Sequence, residues 1–384
     1  MTRQTETNQT EKSTNDRTYI SKDPARRFRT VLTVLSSVSP WAATIVAHKA
    51  FVRPRRHPPK AWERELTTRA TPFRLVSGGV QLQAWSWGHG PTVLLVHGWE
   101  GRAGQLAPMA EPLVQAGYRV VAFDAPAHGE SEGNEIDLVV YRRAIQDVAV
   151  AVGPVHAVVA HSFGAIATSV AVDRGLEIER LVYIAPAVFN RDTPRHLAAA
   201  IGVPMPIMDR VRLRIEERYS ITWESMWIDN IATGERPPLL VIHDDEDAEV
   251  PVAAAEYIAQ TWPRAELVRT SGLGHRRILG DQMVAARTVE FVRTGRLDAA
   301  VAGRLAVVTM DRKGEGGDDA GSDDEGLPTR DVRLEQEPAG AGGGDSGAAL
   351  YRGPKTGRGH ARVDQELLSV LDETAARGRA CPSE

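Results

Sequence analysis

The sequence predicts an α/β fold, with a twisted and mostly parallel sheet carrying helices on both faces. Three observations support this. Short runs rich in Val, Leu and Ile recur at Thr92–Val96, Arg119–Phe123, His156–Ala160, Leu181–Ile184, Leu239–Ile242 and Ala265–Val268, and runs this short and apolar suit strands buried on both faces. Helical stretches fill the intervals, and a hairpin precedes the series. A hairpin followed by strand–helix alternation gives a sheet sandwiched between helical layers.

Residues 1–30 are polar and of mixed charge, with too little apolar surface to order themselves, so a flexible arm is expected there. From Thr30 to Ala47 the chain is uncharged, between Arg29 and Lys49, and is interrupted by Thr33, Ser36, Ser37, Ser39, Pro40 and Thr44. A spanning helix needs about 20 mostly apolar residues, and a secretory leader would place its apolar run nearer the start. Residues 31–70 are therefore expected to form a helical segment packed on the protein, with membrane association through 30–47 as the alternative. Arg53-Pro54-Arg55-Arg56 suits either an anionic surface or a solvated face.

Phe73 to Trp87, split by Ser77-Gly78-Gly79, reads as the hairpin because glycine supplies the positive φ of a tight turn. From Asp137 to Val152, Leu138, Tyr141, Ile145, Val148 and Val152 fall on one helical stripe behind an Asp137 N-cap. About residues 187–237 separate two strands by far more than an ordinary connection. This insertion contains Ile207, Val211, Ile215 and Tyr219 at four-residue spacing, interleaved with Arg210, Arg212, Arg214 and Arg218, the pattern of an amphipathic helix. Residues 313–362 are Gly-rich and acidic, and a weak helical pattern returns at Val363–Ala376, so 296–384 is expected to be a largely disordered tail.

Composition excludes several functions. With 46 basic against 50 acidic residues and a net charge of −4, the chain has no overall positive field to hold nucleic acid. Its one cysteine, Cys381, rules out an internal disulfide framework and a zinc site built on several thiolates. It fits a reducing compartment, and a cytoplasmic location is expected. The eleven histidines are mostly dispersed and no H-E-x-x-H spacing occurs, so no metal and no cofactor is expected.

The chemistry-bearing residues lie where predicted strands end, which is where ligands gather in open α/β sheets. Ala160-His161-Ser162-Phe163-Gly164 follows one strand and precedes a small-residue helix, which places Ser162 at the apex of a sharp strand–helix turn. A serine hydroxyl needs a base, and the base needs an orienting acid. Asp247 follows the strand ending at Ile242, and His275 follows the strand ending at Val268. Ser162, Asp247 and His275 thus appear in the order nucleophile, acid, base. Asp244, Asp245 and Glu246 remain alternative acids, Ser162 could be a plain N-cap, and His275 a loop histidine. Backbone N–H groups of Trp99 and Phe163 are candidate oxyanion donors. His97 reads as a loop organiser ahead of a catalyst.

His97-Gly98-Trp99, Phe123-Asp124-Ala125-Pro126-Ala127-His128-Gly129-Glu130-Ser131, Ala160-His161-Ser162-Phe163-Gly164, Asp247 with Val250-Pro251, and Gly274-His275 together resemble an α/β-hydrolase of the esterase/lipase-like serine type. The resemblance covers about residues 71–295. It implies an eight-stranded, mostly parallel sheet, a cap over the site at about 187–237, a structural loop at Asp124–Ser131, and hydrolysis of a carboxylic ester on a small-molecule acyl substrate. Serine at the apex, where dehalogenase-like and epoxide-hydrolase-like members place a carboxylate, favours an acyl-serine intermediate. Ala160 and Ala127 stand where glycine is usual, and Asp244 follows His243 where the family often has glycine. Trp223, Met226 and Trp227 read either as acyl-pocket lining or as core of the cap, and the cap arginines as a solvated face or as contacts for an anionic substrate. The rival readings are thioester or amide cleavage, and a non-catalytic binding or scaffold protein.

Overall fold

The computed structural model describes residues 24–297, with side chains from Phe28 onward. The expectations for 1–23 and 298–384, including Val363–Ala376, lie outside the described residues.

Eight strands form one sheet: β1 (Thr71–Ser77), β2 (Val80–Trp87), β3 (Thr92–Val96), β4 (Arg119–Phe123), β5 (Val155–His161), β6 (Ile178–Ile184), β7 (Leu239–Asp244) and β8 (Ala265–Thr270). Their order is β1-β2-β4-β3-β5-β6-β7-β8. β2 runs antiparallel to β1 and β4, and every other pairing is parallel. Several strands outrun their apolar runs, as β6 does through Glu179 and Arg180, because ladder pairing continues past the last residue that a core requires.

The helices are α1 (Pro24–Val38), α2 (Pro40–Val52), α3 (Ala61–Thr68), α4 (Ala103–Gln115), α5 (Leu138–Val152), α6 (Phe163–Asp173), α7 (Thr193–Ile201), α8 (Met205–Tyr219), α9 (Ile228–Ile231), α10 (Ala253–Thr261), α11 (Gly274–Arg277) and α12 (Gln282–Thr294). Alternation along the central strands feeds two cores. Leu94, Val96, Val158 and Val241 pack with α2, α5, α6 and α8, while Val93, Leu95, Val159, Val182 and Leu240 pack with α4 and α12. Burying each such side chain contributes about 1.5–3 kcal/mol. The Asp137 carboxylate caps α5 by accepting from Val140 N–H at 2.9 Å.

The insertion between β6 and β7 holds α7, α8 and α9. Ile207, Val211 and Ile215 on α8 are buried, whereas Arg210, Arg214 and Arg218 are exposed and Arg212 pairs with Glu216. The uncharged N-terminal stretch forms two helices that break at Ser39, whose hydroxyl caps α2. α2 lies along α8. One expectation is corrected: α1 begins at Pro24, inside the segment 1–30 expected to be flexible. Phe28 packs against the core and Leu32 is fully buried, so anchoring in its middle supports a first turn that composition alone did not favour.

Among the described residues, no helix is long and apolar enough to cross a membrane.

Candidate active site

β5 ends at His161 and α6 begins at Phe163, leaving Ser162 between them at φ +52° and ψ −122°. A positive φ at a residue with a Cβ costs roughly 1–2 kcal/mol. The surroundings hold it there. Ser162 N–H donates to Ile184 C=O at 3.1 Å, and its own carbonyl accepts from Ala165 at 3.0 Å and Ala187 at 3.3 Å. The glycine two residues on has a steric cause, because a Cβ at Gly164 would strike the His97 carbonyl and come within 2.8 Å of that of Val96. Ala160 at the first small place is fully buried, so a methyl is accommodated there. Ala127, the other departure, adopts φ +66°, a conformation in which glycine carries no such cost.

His275 opens α11 past β8, and its Nδ1 lies 2.7 Å from Asp247 Oδ2. A carboxylate only accepts, so the proton sits on Nδ1 and Nε2 is left as the free base. Asp247 Oδ1 accepts from the N–H groups of Glu249 at 2.8 Å and Val250 at 2.9 Å. Burial alone would raise this carboxyl, but the His243 and His275 imidazoles and Val250 N–H outweigh it and hold the group well below the usual carboxylate range. The alternative acids are engaged elsewhere. Asp244 fastens the two loops by accepting from Thr270 O–H at 2.7 Å and Leu273 N–H at 3.0 Å. Asp245 pairs with Arg269 and Glu246 with Ser271.

Elbow and acid–base pair meet through His161. Its Nε2 donates to the His275 carbonyl at 3.0 Å, and the two rings lie 4.7 Å apart. Burial, then the neighbouring His275, push His161 down to about 3, so it is neutral. Ser162 and His275 are 9% and 8% exposed, so both are largely buried at the sheet edge. Ser162 makes no side-chain hydrogen bond to His275 among the described residues.

The loop after β3 lies against the elbow. A Cβ at Gly98 would come within 2.9 Å of Ser162 Cβ. His97 Nε2 accepts from Ala125 N–H at 2.9 Å, so its proton is on Nδ1, which donates to Gly98 C=O at 2.7 Å. It is buried and its pKa lies well below the usual histidine value because of burial, so it organises this loop as a neutral ring. Trp99 packs edge-on against Phe163, ring centroids 5.7 Å apart.

Asp124 Oδ1 accepts from Ala103 N–H at 2.8 Å and Oδ2 from Glu130 N–H at 2.7 Å, so the loop 124–131 closes on a buried carboxylate. His128 Nε2 in turn accepts from Glu100 N–H at 3.1 Å. Sequence reasoning missed the partners of these loops. Arg56 donates to the carbonyls of His128, Gly129, Ser131 and Gly133, and buried Arg102 forms a two-pronged pair with buried Glu63. It also missed His243, whose Nε2 donates to Val250 C=O at 2.9 Å. Nothing in local spacing signals such pairings.

The cap closes tightly over α6. Between them is an apolar cavity of about 10 Å³, bordered by Ile166, Ala187, Phe189 and Met226. Trp223 and Met226 are buried in the cap. No group of three His, Cys, Asp or Glu that could hold a metal ion occurs among the described residues.

A family model described as Hydrolase_4, serine aminopeptidase S33, matches residues 89–273. That window runs from just before β3 to two residues short of His275, and contains the elbow and Asp247. A comparison with curated proteins found no match. Solved structures similar to this chain include Est1E from Butyrivibrio proteoclasticus with bound ferulic acid, 16% identical, with 62% of this chain and 99% of that one covered and a TM-score of 0.45. The esterase Pf2001 from Pyrococcus furiosus is 21% identical, with 63% and 98% covered and a TM-score of 0.49. An esterase from Exiguobacterium antarcticum is 16% identical, with 58% and 100% covered and a TM-score of 0.45.

Proposed function

We propose that this chain, whose residues 89–273 match the Hydrolase_4 family model and whose eight-stranded sheet has the α/β-hydrolase order, is a serine hydrolase cleaving a carboxylic ester, or a related acyl bond, through an acyl-serine intermediate. One observation supports this most directly: the strained Ser162 shares a sheet edge with an imidazole whose Nδ1 proton is bonded to a buried carboxylate. In this reading Ser162 Oγ attacks the acyl carbon while His275 Nε2 takes its proton. Asp247 stays anionic and fixes the tautomer and orientation of His275. The N–H groups of Trp99 and Phe163 hold the oxyanion, each donor worth roughly 2.7–4 kcal/mol by analogy with a well-studied protease. His275 returns the proton to the leaving group, and water then repeats the cycle on the acyl-serine.

Fluorophosphonate labelling with peptide mapping, combined with turnover of a short-chain p-nitrophenyl ester, tests this. Labelling at Ser162 and loss of at least about 10³-fold in kcat/KM in Ser162→Ala are expected. Folded protein that resists labelling, or a Ser162→Ala variant with full turnover, would overturn it. Matched ester, thioester and amide substrates then decide which acyl bond is cleaved.

A further inference from the structure

We propose that the outer face of the α1–α2 hairpin docks on an anionic lipid bilayer, with the hairpin lying in the interface plane. Packing on the protein and contact with a membrane were alternatives for residues 30–47 in the sequence. The structure assigns them to opposite faces of the same hairpin. Inward, Leu32, Ala43, Val46 and Ala47 are buried, and α2 lies along α8. Outward, Val31 is 44%, Val34 60%, Val38 79% and Trp41 67% exposed. These four residues follow one another around the turn between the helices and account for half of the large apolar side chains exposed among the described residues.

The hydroxyls of this stretch are satisfied within the hairpin: Thr33 donates to Arg29 C=O, Ser36 and Ser37 to Thr33 C=O, Thr44 to Pro40 C=O, and Ser39 Oγ accepts from Ala42 N–H, so none needs water as a partner. Charge is absent between Arg29 and Lys49, and both ends of that interval carry a cation. Arg53 and Arg55 are paired with Glu135 and Glu100, but Arg29 and the exposed cap residues Arg210 and Arg214 make no ion pair among the described residues. Arg29 is on α1 itself, and Arg210 and Arg214 are on α8, along which α2 lies, Arg214 close to His48 of α2, so unpaired cations flank the hairpin, a charge that suits anionic headgroups. With 15 and 13 residues and a break at Ser39, neither helix reaches the roughly 20 residues of a span, so the hairpin lies on the bilayer.

The test uses the full chain and sucrose-loaded vesicles of phosphatidylcholine, alone or with about 30% phosphatidylglycerol, read by co-sedimentation. Binding to the anionic vesicles is expected, weakened at least about tenfold by raising salt to about 0.5 M. A similar loss is expected in Val34→Asp with Trp41→Ser, whose positions are exposed and whose unchanged circular dichroism would show an intact fold. An Arg210→Gln and Arg214→Gln variant should lose about fivefold per cation removed. No binding by the full chain, equal binding to both vesicle types, or binding that survives Val34→Asp with Trp41→Ser would overturn the proposal. So would a dimer in equilibrium sedimentation that the same pair of substitutions dissociates, since the face would then belong to a second copy. None of these outcomes depends on whether Ser162 is a nucleophile.

Discussion

Nε2 of His243 lies 3.3 Å from the same Asp247 oxygen that accepts from His275. One carboxylate oxygen therefore faces two imidazoles. His243 is fully buried, and its Nδ1 has no hydrogen-bond partner among the described residues, so its only polar work is directed at Val250 C=O and Asp247. A donor near a carboxylate stabilises the anion and weakens its pull on any other proton. His243→Leu should remove one of the donors that hold Asp247 in place and, in the proposed mechanism, lower kcat/KM. His243→Gln, which retains an N–H, should restore much of the lost activity. Unchanged kcat/KM in His243→Leu would assign His243 a packing role alone.

The Arg102 guanidinium and the Glu63 carboxylate, 7% and 1% exposed, are joined by two hydrogen bonds, and Arg102 Nη1 also donates to His57 C=O. A buried pair broken on one side leaves an uncompensated charge, which typically costs about 3–5 kcal/mol. Glu63→Ala should cost this much in urea unfolding, and Glu63→Ala with Arg102→Met markedly less than the sum of the single changes. Because Arg102 follows Trp99-Glu100-Gly101 directly, the single variant should also lower kcat more than it raises KM.

The legible parts of this molecule are those in which one residue's neighbours in sequence are also its neighbours in space. Strand runs, the Gly78-Gly79 turn and the Asp137 cap all declare themselves within a few positions. That Ser162, Asp247 and His275 each stand past the end of a strand was readable from the apolar runs, and topology brings those strand ends to one edge of the sheet. His243 lay inside a segment already singled out, yet its partners Val250 and Asp247 are set by how the loop folds back. Glu63 and Arg102 are 39 positions apart and belong to no periodic pattern, so burial of a matched pair of charges leaves no trace in composition. The start of α1 at Pro24 was obscured for a similar reason: Phe28 and Leu32 gain a core only once α2 and the cap are assembled.

Gly98 occupies a place where a side chain would meet the elbow. Its φ lies outside the left-handed region, so the constraint is steric: an added Cβ would stand 2.9 Å from Ser162 Cβ and 3.2 Å from His161 Nδ1. Neither neighbour is the free end of a flexible chain. In the proposed mechanism Gly98→Ala should push the Trp99 N–H off the oxyanion assigned to it and cost about 10²- to 10³-fold in kcat. Fluorophosphonate labelling should slow in parallel while the melting temperature changes by only a few degrees. Gly129→Ala is the contrasting case, because φ is +45° and the new Cβ would collide with the Asp124 carboxylate. That variant should lose stability first.

Acid should destabilise the fold through its buried histidines. Burial, partly offset by the bond to Pro126 C=O, pushes His128 down to about 4, and His161 lies at about 3 and His97 well below its ordinary value. In the unfolded chain each titrates near about 6.5. A depressed folded value means the unfolded state binds the proton first, so the stability these groups contribute is complete above about pH 6.5 and falls as the pH drops toward their folded values. For His128 alone the interval from about 6.5 to about 4 corresponds to on the order of 3 kcal/mol. Protonating its Nε2 would also remove the acceptor for Glu100 N–H, a bond of 3.1 Å beside Trp99. Unfolding free energy measured in urea should therefore decline steadily from pH 7 to pH 5, and His128→Asn should show a shallower decline than the wild-type chain. A flat profile over that interval would mean these rings are not held neutral by burial.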